Sequence, residues 1–91
     1  MTLPARAIGA GVSNAVYDTH RARVRGYLAA NREAVLVNGQ PGPAWAGLKE
    51  TARTRPDREA QMLVDFQRIN ALPDAEWLDQ ATVIAMVMGD F

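Results

Sequence analysis

The side chains in this 91-residue sequence whose type and spacing could carry chemistry are one histidine, a row of arginines and a late cluster of carboxylates. His20 could act as a general base only with an orienting carboxylate and a nucleophile held close by. Asp18 is its one near acid, and on a helix the two point apart. His20 instead shares an apolar stripe with Val16, Val24 and Tyr27, which makes it a structural or boundary residue. Asp74, Glu76 and Asp79 are hard-ligand candidates, but they match neither a calcium loop nor the Glu-x-x-His pattern of di-iron bundles. Their place at a helix start, where the dipole favours acids, accounts for them.

Cysteine is absent, which removes disulfides, thiolate nucleophiles and thiolate-held metals. Gly9 and Gly11 follow no strand and form no dinucleotide fingerprint, and no Gly-Lys-Ser/Thr of a phosphate loop occurs. Asn38-Gly39-Gln40-Pro41-Gly42-Pro43 reads as a turn and not as a phosphate cradle. No catalytic residue, cofactor, metal or small-molecule substrate is expected, and the chain reads as a non-enzyme.

Two surfaces remain as candidates for binding. Arg21, Arg25 and Arg32 fall within about 40° of one another on a helix at 100° per residue. Their forked donors suit an acidic protein surface or phosphates, although a solvated face partly paired with Asp18 or with acids of the last helix is the plainer expectation. The second surface belongs to the last helix, whose stripe is Trp77, Leu78, Ala81, Ile84, Ala85 and Met88, with Val83 and Val87 adding apolar area on the other side. A helix apolar on most of its circumference is either central in the core or covered by another chain. Trp77, Val83, Ile84, Val87, Met88 and the terminal Phe91 form the candidate partner-binding set. Ala22, Gly26 and Ala29 make a strip of small residues, for which a close helix or a local kink at Gly26 would give a reason.

The elements that must position these groups follow from period and punctuation. Val16, Tyr17, Val24, Tyr27, Leu28 and Val35 recur at helical spacing, with Ser13 as a candidate N-cap and Gly39 as a stop. A helix is expected over about 13–37; residues 34–37 could form a short strand, but no strand partner stands out. Further helices are expected at about 43–53, opened by Pro43, at 55–71, opened by Thr54 three residues before Asp57 in a variant capping box, and at 73–88, opened by Pro73. The fold class is all-α, a compact bundle of about four helices with a short N-terminal arm over 1–12, in a single domain spanning 1–91.

Composition agrees with that expectation. A hydrophobic fraction of 48% with 22% charged residues is that of a folding chain, and its length allows one core. No segment has the apolar length of a membrane span or a signal peptide, so a cytoplasmic protein is the default expectation. Net charge is zero but divided: residues 1–58 carry nine bases against four acids, a balance of +5, and residues 59–91 one base against six acids, a balance of −5. Such polarity pairs the two parts of a fold or steers a charged partner. Arginine over lysine, with many alanines, suggests a bacterial, plasmid or phage genome of high GC content.

The function expected is protein–protein binding, as an adaptor, inhibitor or assembly factor, with another protein or a second copy as partner. The alternative is a small nucleic-acid-binding regulator that uses Arg21, Arg25 and Arg32. A helix-turn-helix built from residues 54–71 and 73–88 is disfavoured, because Asp74, Glu76 and Asp79 would meet phosphates with like charge.

Overall fold

The computed structural model describes the backbone of residues 2–90 and the side chains of residues 15–90. Its elements run α1 (Thr2–Val35), β1 (Leu36–Val37), β2 (Gln40–Pro41), α2 (Trp45–Ala52), a 3-10 turn (Pro56–Arg58), α3 (Glu59–Ile69) and α4 (Asp74–Val87). The expected all-α bundle of four helices is the observed architecture. α1 packs against α2 and α4, and α3 packs against α4.

Three boundaries differ from expectation. α1 starts at Thr2, so Ser13 and the stretch expected as an arm lie within it. It ends at Val35, because Leu36–Val37 pairs antiparallel with Gln40–Pro41 and not with a further helical turn. The strand partner lay only four residues away, disguised by Pro41. Asn38 (φ 54°) and Gly39 (φ 77°) both take the left-handed conformation, as a two-residue hairpin turn with the right twist requires. The hairpin also closes the end of α1, whose last carbonyls would otherwise lack donors. The Gly42 amide donates to the Val35 carbonyl at 2.8 Å and the Ala44 amide to the Ala34 carbonyl at 2.9 Å. The chain runs so near Ala34 that a Cβ on Gly42 would collide with that carbonyl oxygen.

The third difference concerns residues 54–58. Thr54 caps no helix: it bridges to Gly89, and its hydroxyl meets the Met62 sulfur at 3.5 Å. Asp57 pairs with Arg55 at 3.2 Å, and a 3-10 turn precedes α3. The long-range bridge wins because it satisfies backbone groups at both ends: the Arg55 amide donates to the Met88 carbonyl (2.9 Å), and the Asp90 amide donates to the Arg53 carbonyl (2.7 Å). Arg53 reaches this position by ending α2 in the left-handed conformation, φ 56°. Gly89 is glycine for close approach, since a Cβ there would strike the Ala52 carbonyl.

The core gathers Val24, Leu28 and Val35 from α1, Leu48 and Ala52 from α2, Met62, Phe66 and Ile69 from α3, and Ala81, Ile84 and Ala85 from α4. At its centre the wholly buried Phe66 meets Trp45 of α2 edge-on (5.8 Å, 87°) and Trp77 of α4 likewise (6.2 Å, 73°). The Trp45 indole N–H donates to the Glu59 carboxylate at 3.0 Å, so the ring is buried without orphaning its one donor. The same Glu59 oxygen pairs with Lys49 at 3.0 Å, tying α2 to the start of α3. With these two donors on it, the Glu59 carboxyl titrates below its ordinary range.

Truncating the centre of this cluster should be costly. Phe66→Ala is expected to destabilise the fold by about 3–5 kcal/mol, the usual cost of emptying a buried aromatic site. Urea unfolding followed by circular dichroism measures it; a cost under about 1 kcal/mol would mean that Phe66 is not the keystone described here.

Candidate functional site

The two surfaces expected to bind partners lie on adjoining helices, α1 and α4, and the structure redistributes their residues. Of the apolar set, Trp77, Ile84 and Met88 are buried in this chain's own core. Val83 and Val87 are not: they stand 60% and 56% exposed, one turn apart on α4. Phe91 lies outside the described residues. α4 therefore divides by face, with its stripe serving the core and its two valines facing out.

The arginine row divides similarly. Arg32 donates to Asp74 (2.9 Å) and to the carbonyls of Asn70 and Leu72 (3.0 Å each), and its guanidinium lies 4.7 Å from the centroid of Trp77. It serves as a clasp that holds the α3–α4 connection against α1. Arg25 pairs with Asp79 of α4 at 2.8 Å. Arg21 makes no ion pair or hydrogen bond among the described residues.

Between α1 and α4 these leftovers meet in one groove of about 300 Å³, lined by Tyr17, Arg21 and Arg25 on one side and Asp79, Thr82, Val83, Met86 and Val87 on the other. Thr82 is buried and donates its hydroxyl to the Leu78 carbonyl at 2.7 Å, so the groove floor is satisfied. The lip of α4 is fixed by Arg58, which donates to the Val87 carbonyl at 3.0 Å and places positive charge at the helix C-terminus. Helical spacing places Tyr17 on the core stripe, and Met86 belongs to neither of the expected surfaces. Tyr17 is 44% exposed and Val16 is 52% exposed. Length explains it: 34 residues of α1 rise about 51 Å and 14 residues of α4 about 21 Å, so the shorter helices cover only part of α1. The useful signal was Tyr17, Arg21 and Arg25 standing in line at spacing four.

Gly26 has nothing within 4 Å of where a Cβ would stand. No helix of the described chain approaches it, and the irregularity in α1 is at Asn31 (φ −126°), whose side-chain amide donates to the Tyr27 carbonyl at 2.8 Å. The tight glycine on this side of the fold is Gly47, where a Cβ would overlap the Tyr27 phenol; that hydroxyl donates to the Ala44 carbonyl at 2.9 Å.

His20 is buried and lies against the end of α2, where the Ala52 backbone hydrogen-bonds the ring. Burial, then the charges of Arg53 and Arg23, hold its pKa below the ordinary 6.5, although the Ala52 bond acts the other way. Its buried neighbourhood is that of a structural group. Among the described residues no three metal-binding side chains cluster, and no helix is long and apolar enough to cross a membrane. Comparison with family models, curated proteins and solved structures finds no match for this chain.

Gly26→Ala should stabilise the fold by about 0.5–1 kcal/mol, because alanine suits a helix interior better and the space is open; a lower midpoint in urea would show that the site is not open. His20 resists protonation when folded but takes a proton near pH 6.5 when unfolded, so its contribution is complete above that pH and is lost on acidification. His20→Gln is expected to flatten the fall in Tm between about pH 7.5 and 5.5, above the range where Asp57 and Glu59 titrate. An unchanged slope would assign the acid sensitivity elsewhere.

Proposed function

We propose that this chain is a non-enzymatic cytoplasmic protein, an adaptor, inhibitor or assembly factor, which works by seating another protein in the groove between α1 and α4. The observation that carries the reading is the exposure of Val83 and Val87, a pair of branched apolar side chains on a helix whose other face completes the core. Scattered exposed valines are ordinary, but two in one concave site beside Tyr17 and Met86, edged by arginine, have the composition of an interface core with a polar rim. The rigid backing favours it too. Both helices are held by the core they share and oriented by the Arg25–Asp79 pair and the Arg32 clasp, so little conformational freedom is lost on binding.

A nucleic-acid role would draw on Arg21, Arg25 and Arg32 acting together. Carboxylates already hold Arg25 and Arg32, which leaves one of the three charges for a phosphate backbone to meet and favours the protein-binding reading.

Affinity capture from the native host tests the proposal, with Val83→Asp and Val87→Asp beside the unmodified protein. Both positions are exposed, so the variants are expected to keep the helical circular dichroism spectrum while losing the captured partner. Val83→Ser, which removes apolar area without adding charge, should weaken capture in the same direction. Partner recovery unaffected by all three substitutions would refute the groove as the binding site.

A further inference from the structure

Resting on the groove reading, we infer that the segment the groove takes is an acidic amphipathic helix of another protein, and not a second copy of this chain. The charges on the groove walls point to it. Arg21 and Arg25 face one acid, Asp79, which already belongs to Arg25. Among the residues that line the groove the balance is therefore one positive charge, at Arg21, and Arg58 at the Val87 carbonyl adds another at its lip.

A symmetric pair of copies joined through this groove would bring the same surface against itself. The excess charge would then be doubled in a partly desolvated site with no acid to answer it, which costs association free energy. A partner that brings carboxylates cancels the charge and gains from it.

The shape of the site specifies the rest. The groove runs between two packed helices and offers no free strand edge, so the binding mode that fits is a helix laid in the groove, anchored by apolar side chains three and four residues apart. Val83 and Val87, one turn apart, with Tyr17 and Met86 beside them, supply the apolar bed for such anchors. Arg21 sits on the α1 wall, one turn from Tyr17 and one from Arg25. A carboxylate on the flank of the incoming helix that faces α1 meets its guanidinium, in a contact that is stronger for being charge-assisted.

Two synthetic peptides of about 20 residues, long enough to be helical, test this directly. Both carry leucines at i, i+3, i+4 and i+7; one has glutamates and the other lysines along the flanks of the apolar stripe. Fluorescence anisotropy gives the affinities, and amide chemical shifts of the labelled protein locate the site. The glutamate peptide is expected to bind at least about tenfold tighter than the lysine peptide, with shifts at Val83, Val87 and Arg21. Arg21→Glu should reverse that preference, whereas Val83→Ser should weaken both peptides. Equal binding of the two peptides, with Val83→Ser still effective, would overturn the acidic partner and leave the groove reading standing. Shifts confined to other surfaces, or no binding by either peptide, would overturn both. A concentration-dependent dimer in light scattering that Val83→Asp abolishes would replace the acidic helix with a second copy. Displacement of the glutamate peptide by a duplex DNA oligonucleotide at moderate salt would replace it with a nucleic acid.

Discussion

Phe66 standing edge-on between Trp45 and Trp77 is the contact on which the rest of this small fold depends. Each ring comes from a different helix, and the Arg32 guanidinium of α1 completes the column by lying over the Trp77 ring. All four helices thus meet through three rings and one guanidinium. Edge-to-face packing is directional as well as apolar, so the column fixes the helices' relative rotation and not merely their proximity. In a chain of this length the core is small, and the three aromatic residues buried in it meet at this one place.

Polar contacts then lock what the rings align. Arg32 gathers the Asn70 and Leu72 carbonyls and the Asp74 carboxylate, so one guanidinium satisfies backbone acceptors at the end of α3 and fixes the start of α4. Glu59 does comparable work between α2 and α3 through Trp45 and Lys49. The opposite charges of the two parts of the chain are thereby partly spent inside the fold. Arg25 with Asp79 and Arg32 with Asp74 each join the basic segment to the acidic one. These pairs are exposed enough that each adds little stability by itself, and their main effect is on orientation.

What the fold leaves unsatisfied defines its surface. Once Trp77, Ile84 and Met88 are committed to the core, the valines on the far side of α4 are left more than half exposed. Once Asp79 is committed to Arg25, Arg21 stands without an acid among the described residues. The groove is where those two remainders coincide, and its mixture of branched apolar groups with excess positive charge follows from the same packing that holds the helices together.

The sequence by itself determined the helical class, the number of helices and most of the core, because a 3.6-residue period in Val24, Leu28, Met62, Phe66, Trp77 and Ile84 can bury its apolar face in few other ways. Asn38-Gly39 marked the hairpin at Leu36–Pro41 locally, its partner strand being hidden by Pro41. Tertiary structure decided the rest: Thr54 left its expected cap because a strand-like bridge to Gly89 satisfied more backbone. The division of α4 into core and groove, and of the arginine row into clasp, pair and remainder, was likewise beyond reach of periodicity. Periodicity records which residues share a face. It carries no information on how far a neighbouring helix extends along that face, and it was the short reach of α4 along α1 that left Tyr17 and Arg21 beside Val83 and Val87.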